Sequence, residues 1–377
     1  MIYLNNSAGT KPYPEVILTI VDVLANHWGN PHDDNSFGHD AQMIIDGVTE
    51  QVAKDINCKP EEIIWTSGSC EANSLAINGF IQRYYTHFYT SKLEHTSINK
   101  LVEQNEDFFG YIDNDKNGFI SLESLERELS KGHVPETRKI LVSISASNSE
   151  IGVIQDIKSI AEITHKYNGI LHVDATQLYP WKQIDVQELG IDMMSVSGQK
   201  LHCCKGIGFL YVREGIELEP LIYGSQQNGR RAGTMPTHLI AAFGKALKIT
   251  RKRDMSDSVR NMRNRIMDCL VCIDGVKFNG TISYDWRLPN NISATIEGIN
   301  ADQLVTICDE LGIVIAKGSA CQSYNPVPSQ TLLSIGLTEE QALSTVRITL
   351  DEFNIWDEIN EFCEVFPKII ARLRSVC

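Results

Sequence analysis

At 377 residues, 42% hydrophobic and 22% charged, the chain has the balance of an ordinary globular protein, with room for one large domain and a smaller companion. Its 48 acidic against 34 basic side chains leave a net charge of −14, opposite to the basic face of a general nucleic-acid binder. No run approaches ~18 apolar residues and the opening "MIYLNNSAGTKPYPEV" lacks an export signal, so no membrane, the cytoplasm and reduced thiols for the ten cysteines are expected.

In chain order, "EIIWT" (62–66) reads as a strand, and "CEANSLAINGFIQRYY" (70–85) behind it as a helix. "KILVSIS" (139–145), "GILHVDA" (169–175), "DMMSVS" (192–197) and "GIGFLYV" (206–212) are short, rich in β-branched residues and without alternation, as strands buried on both faces are. "IQDIKSIAEITHKYNG" (154–169) reads as a helix ending on Gly169 as C-cap. The alternation predicts an α/β domain with a mostly parallel sheet. From 244 to 273 the pattern predicts one long amphipathic helix with a solvated basic face. "NNISATI" (290–296) and "GIVIAKG" (312–318) read as strands, and two closing helices complete a smaller α+β unit. The division expected is 15–245 for the large domain, with 1–14 and 246–377 for the small one.

Ligands collect at the carboxyl ends of strands in open α/β sheets. Asp174 follows "ILHV", Lys200 follows "MMSVSGQ", and "TSGSC" (66–70) turns a strand into a helix whose first N–H groups suit a phosphate. A lysine for a Schiff base, an acid for a pyridine nitrogen and a phosphate cradle are together what pyridoxal 5'-phosphate needs. Taken singly, each also has an ordinary reading as surface charge, cap or turn, so the pattern leaves this cofactor as one option among several.

Eight separate motifs add a resemblance. They are "GNPH" (29–32), "TSGSCEANSLAINGF" (66–80), "EHTSI" (94–98), "SEIGVIQDI" (149–157), "HVDATQ" (172–177), "SGQKLHCCKGIGFLYV" (197–212), "GRRAGTMP" (229–236) and "GSACQS" (318–323). With "YLNNSAGT" and "VRITL" at the two ends they make the chain resemble a cysteine desulfurase of the NifS/IscS type, a class V, fold-type I pyridoxal-phosphate enzyme with a mostly parallel seven-stranded sheet. The resemblance implies that Lys200 bonds the cofactor, Asp174 pairs with its ring nitrogen and Gln177 with its ring oxygen. His95 would stack on the ring and move protons. Gly68, Ser69, Cys70 and Ser197 would hold the phosphate, with Thr234 reaching in from the other subunit of a homodimer. Asn30 and Arg347 would hold the substrate carboxylate, a bidentate task that suits arginine. In the implied reaction L-cysteine displaces Lys200, the freed lysine takes the α-proton, and the Cys321 thiolate attacks the substrate sulfur. Alanine leaves and a persulfide remains on Cys321, for transfer to an acceptor protein whose identity the residues do not give. The length from Cys321 to Arg347 matches the long-loop subgroup, whereas the short ending "ARLRSVC" lacks the tail by which some relatives dock an iron–sulfur scaffold.

Four departures surround the lysine: Cys70 in place of a threonine, Ser149 of an asparagine, Gln199 of a histidine and Cys203-Cys204 of Gly-Pro. A thiol donates poorly, so a weaker hold on phosphate is expected at Cys70. These departures keep two alternatives open: another class V reaction such as selenocysteine lysis, and an impaired dimeric scaffold. Cys203 and Cys204 read as small fillers beside the cofactor loop, and "CLVC" (269–272) as core packing. "DNDKNGFISLES" (113–124) imitates a calcium loop, but position twelve is Ser124, so it reads as a turn before a helix. No metal is expected.

Overall fold

The computed structural model describes residues 1–102, 109–131, 139–253, 255–318 and 327–376. The chain opens with β1 (Ile2–Tyr3) and the helices α1 (Pro14–Asn26) and α2 (Ser36–Ile56). Strand and helix then alternate through β2 (Ile63–Thr66), α3 (Ser69–Arg83), β3 (Thr86–Ser91), α4 (Thr96–Val102), β4 (Phe109–Ile112) and α5 (Leu122–Lys131). Next come β5 (Lys139–Ser145), α6 (Ile157–Lys166), β6 (Gly169–Asp174), β7 (Met193–Ser197) and β8 (Gly208–Val212). The rest runs α7 (Thr237–Arg253), α8 (Ser256–Val271), β9 (Val276–Phe278), β10 (Asn291–Ile296), α9 (Ala301–Glu310), β11 (Ile313–Val314) and β12 (Ala316–Lys317). It closes with α10 (Gln330–Ser334), α11 (Glu339–Leu343), β13 (Thr345–Thr349) and α12 (Trp356–Val376).

The central sheet has seven strands in the order β2-β8-β7-β6-β5-β3-β4, parallel except where β8 pairs with β2 and β7. Its strands lack alternation because both faces are covered. Trp65, Val142, Ile144, Val173 and Phe209 enter one core, while Ile64, Leu141, Met193 and Leu210 enter another under α3 and α4. A third core joins Ile2 and Leu4 to β10, β13, α8, α9 and α12 around the sheet β12-β13-β10-β9.

Several expectations need correction. The basic stretch is two helices, α7 packing on α1 and α2, and α8 on α12 and β10. Its arginines are not all solvated: Arg251 pairs with Asp55 at 2.8 Å, and buried Arg263 donates to the Leu288 carbonyl. Asn168 takes the left-handed turn after α6 (φ 53°), and Gly169 is instead the first residue of β6. A Cβ on Gly169 would come within 2.9 Å of Thr164, so the glycine serves close packing. Among the described residues three helices, not two, follow β12. Of the CLVC pair, Cys272 is exposed and only Cys269 is partly buried. In the calcium-like segment, Asp115 Oδ1 accepts the Asn117 and Phe119 N–H groups, each at 2.9 Å, and so organises a turn before α5.

Candidate active site

The parallel strands β3, β5, β6 and β7 all end at one edge of the sheet, and a cavity of about 710 Å³ opens there. Its floor is Asp174, only 6% exposed at the end of β6. Asn73 Nδ2 donates to Asp174 Oδ2 at 2.8 Å, and the Thr176 N–H donates to Oδ1 at 3.0 Å. Two donors fix the carboxylate's plane. Two strands away, just beyond β3, Glu94 is buried and accepts from Ser91 Oγ (2.7 Å) and from the Ser145 N–H (2.7 Å) and hydroxyl. Burial pushes the Glu94 carboxyl up to about 7, against the pull of those serines and with Asp174 adding repulsion. His172, two residues before Asp174 on the same face, lies between Ser143 and Ser195, and burial lowers it to about 4, so it is neutral.

His95 follows Glu94. The Ser97 N–H donates to His95 Nδ1 at 3.1 Å, which places the proton of the neutral ring on Nε2. Lys200 follows β7, and its Nζ donates to the Ala8 carbonyl at 2.7 Å. That carbonyl belongs to a strap of residues 5–13 laid across the site. Thr10 bonds Gln199 O and the His202 N–H, Tyr13 N–H bonds His202 O, and Gln177 Nε2 donates to Ser7 O at 3.2 Å. His202 (φ 57°) turns the chain after Lys200, and its Nδ1 sits 2.9 Å from Lys11 O.

At the opposite wall stands Arg347 of β13, 2% exposed, donating to Ser149 O (3.2 Å) and Asn5 Oδ1 (3.1 Å). Ser69 and Cys70 bring the first turn of α3 to the cavity. That turn lies tight on β8, since a Cβ on Gly208 would meet Gly68 Cα at 2.8 Å. Ser197 lies below it, its Oγ 3.6 Å from where a Gly68 Cβ would be.

The cavity thus unites Lys200, Asp174, Gln177, His95, Ser69, Cys70, Ser149, Gln199 and Arg347. Asn30 is not brought to it: it is exposed before α2, where its Oδ1 accepts the His32 N–H. Thr234 is exposed and also lies elsewhere. Cys321 lies outside the described residues. Cys203 is buried and Cys204 partly buried with sulfurs 3.7 Å apart; the Cys203 thiol stabilises the Cys204 thiolate, so Cys204 is lowered and Cys203 raised. Sequence reasoning missed Asn73, Glu94, Glu150, Lys92 and Lys100, all but Asn73 on the cavity wall. Glu94 could have been found, because it precedes His95 just beyond a strand end.

Three lysines and an arginine in an otherwise acidic chain suit an anionic ligand. The hydroxyls of Ser7, Ser147 and Thr176 are buried at this cavity without a hydrogen-bond partner among the described residues. Such groups call for a polar occupant. Lysine, fixed carboxylate, helix N-terminus and idle hydroxyls fit pyridoxal phosphate.

Geometry and cores of this kind define a fold-type I enzyme. The aminotransferase class-V family matches residues 2–362, and the chain belongs to that family, within it to the cysteine desulfurases of the NifS/IscS type. It is 35% identical to cysteine desulfurase IscS 1 of Archaeoglobus fulgidus, over 98% of this chain and 97% of that protein. It is 34% identical to a cysteine desulfurase IscS of Clostridium botulinum, over 100% and 96%. Among solved structures, a NifS-like protein from Rickettsia africae superposes with TM-score 0.90 at 29% identity, covering 98% of this chain and 99% of that one. SspA in complex with cysteine gives TM-score 0.80 at 29% identity, covering 94% and 100%.

Proposed function

We propose that this protein is a pyridoxal-phosphate-dependent cysteine desulfurase. It converts L-cysteine to L-alanine and holds the sulfur as a persulfide on Cys321 for an acceptor protein. The observation that carries the reading is the convergence of Lys200, Asp174 and Arg347 on one cavity. When bound, pyridoxal phosphate supplies a carbonyl carbon for an amine and a ring that stores the electron pair released with an α-proton.

The chain's own residues then have distinct tasks. Asp174, held by Asn73 and Thr176, keeps a negative charge fixed for a protonated ring nitrogen. Lys200 Nζ anchors the cofactor and moves the α-proton once an amino acid has replaced it. His95 offers the Nε2–H to a neighbouring oxygen or sulfur. Arg347 orients the substrate carboxylate, and the Cys321 thiolate is the nucleophile for the substrate sulfur. Ser69, Cys70 and the first N–H groups of α3 receive the phosphate, with Ser197 below.

In this reading residues 15–245 form the large domain and 1–14 with 246–377 the small one. The cavity is their meeting place, and the exposed Thr234 serves the cavity of a partner protomer in a homodimer.

The test is alanine and persulfide formation from L-cysteine with saturating pyridoxal phosphate. Lys200→Ala is expected to lose alanine formation by about 10²- to 10⁴-fold, and Cys321→Ala to form no protein persulfide. Alanine undiminished in Cys321→Ala points to a different elimination. None from the wild type leaves a scaffold.

A further inference from the structure

Arg231 and Glu71 form a two-pronged ion pair beside the turn that leads into α3. Arg231 Nε reaches Glu71 Oε1 at 2.7 Å and its Nη2 reaches Oε2 at 3.2 Å, with side chains only 19% and 14% exposed. Neither lines the cavity, whereas Ser69 and Cys70, which stand between Ser67 and Glu71 in the chain, both do. Glu71 is the third residue of α3, and its Oε2 also accepts the Ser67 N–H at 2.7 Å. Arg231 is tied to β2 through Gln227. The Gln227 Nε2 donates to the carbonyls of Arg231 (3.2 Å) and Trp65 (3.0 Å), and its Oε1 accepts the Trp65 N–H at 2.7 Å. Strand, turn and the loop carrying Arg231 are thus bonded as one unit. Burial raises the Glu71 carboxyl, but the bonds from Arg231 and Ser67 outweigh it and hold the group below the usual carboxylate range, so it is ionised.

We infer that Glu71 and Arg231 are positioning residues for the phosphate turn: Glu71 holds its shape through the Ser67 N–H, and Arg231 cancels the charge that Glu71 would otherwise set against a phosphate. The inference rests on the phosphate lying at Ser69 and Cys70, as in the function proposed above. Gly68, the N-cap, makes no side-chain hydrogen bond, so the first N–H groups of α3 are left for a ligand. An anion there is favoured by the helix terminus and opposed by a bare carboxylate in the same turn. Capping alone accounts for the acid, because a first-turn carboxylate already suits the helix terminus. It does not account for an arginine brought from 160 positions away to grip both carboxylate oxygens.

Paired, the two charges act on the cavity as a dipole, whose field dies away faster than that of a single charge. Without the guanidinium the full charge of Glu71 acts on the phosphate, and binding weakens by about tenfold or more. Pyridoxal has the same ring and aldehyde with a hydroxyl in place of the phosphate, so it does not feel that charge. Neutralising Glu71 as well removes the cause, and the phosphate is held again. A pair that merely braced the fold would behave differently. Its loss would weaken both aldehydes, and a second substitution would add to the damage.

In the test, full-length protein freed of cofactor is titrated with pyridoxal phosphate and, separately, with pyridoxal, and the absorbance of the bound aldehyde is followed. Arg231→Met is expected to bind pyridoxal phosphate more weakly by about tenfold or more and pyridoxal as the wild type does. Arg231→Lys, which keeps the charge, is expected to retain most of the affinity. Glu71→Gln, whose amide oxygen still accepts from Ser67, is expected to bind pyridoxal phosphate at least as tightly as the wild type. The double variant Glu71→Gln/Arg231→Met is expected to regain most of what Arg231→Met loses. Equal losses for both aldehydes in Arg231→Met, or a double variant no tighter than Arg231→Met, overturn the inference and leave the proposed function standing. Should Arg231→Met fail to fold, Glu71→Gln still decides, since a weaker hold on pyridoxal phosphate alone overturns it as well. A wild type that binds the two aldehydes equally instead overturns the phosphate's place at this turn, and the inference with it.

Discussion

The floor of the cavity takes Asn73, Glu94 and Asp174 from neighbouring strand ends and the helix above them. Its rim takes Asn5, Glu150 and Arg347 from the start, middle and end of the chain. At the floor every carboxylate meets donors from the central sheet or from α3 packed on it: Asn73 and Thr176 for Asp174, Ser91 and Ser145 for Glu94. At the rim the bonds join residues 342 and 198 positions apart. The central sheet and α3 therefore set the floor. The rim exists only while the β12-β13-β10-β9 sheet is seated against it. Chemistry that must stay fixed lies on one rigid layer, and recognition of the incoming carboxylate lies across a seam.

Arg347→Ala is the strongest way to break the rim and spare the floor. Losing charge-assisted hydrogen bonds worth ~1.5–3 kcal/mol is expected to raise KM for L-cysteine about 10- to 100-fold. kcat should stay nearly unchanged, and steady-state kinetics checks the split. A fall in kcat of the same size would mean that floor and rim are one unit. Gly152→Ala attacks the rim through the backbone. A side chain at φ 70°, facing Asn291 at 2.6 Å, is expected to cost about 1–3 kcal/mol, read as an earlier urea midpoint. An unchanged midpoint would show that the turn relaxes freely.

Glu94→Gln addresses the floor and has the smallest effect. Folded Glu94 is raised to about 7, while a glutamate in the unfolded chain titrates near ~4.3. The native state then binds more protons between those values, so this group's contribution to stability falls as pH rises through that window. Replacing it should flatten the slope of stability against pH by up to one proton, measured by denaturant unfolding at about pH 5 and about pH 7. An unchanged slope would mean that Ser91 and Ser145 fully offset its burial.

The floor was the legible part. Strand-end rules single out Asp174, Lys200 and the turn before α3 because each lies next to the apolar run that positions it. The motif likeness supplied Arg347, which no local pattern marks on a buried strand. Nothing local marks Asn5 either, since its bond to Arg347 of β13 spans nearly the whole chain. The basic stretch was misread because charge suggests a solvated face. Asp55 and the Leu288 carbonyl, which hold Arg251 and Arg263 inside, are distant in sequence. Asn30 stands outside the cavity for a related reason: a motif match carries residue identity, and the fold of this protomer sets where that residue stands.

The strap of residues 5–13 has a consequence in time. Its partners at Gln177, Lys200, His202 and Thr349 emerge from the ribosome some 170 to 342 residues after it. The first segment made must therefore wait, unpaired, for about half of the chain, and for nearly all of it before it can bond Thr349. A nascent chain halted after β8 would hold the floor and lack the rim, and site completion becomes a late checkpoint of synthesis.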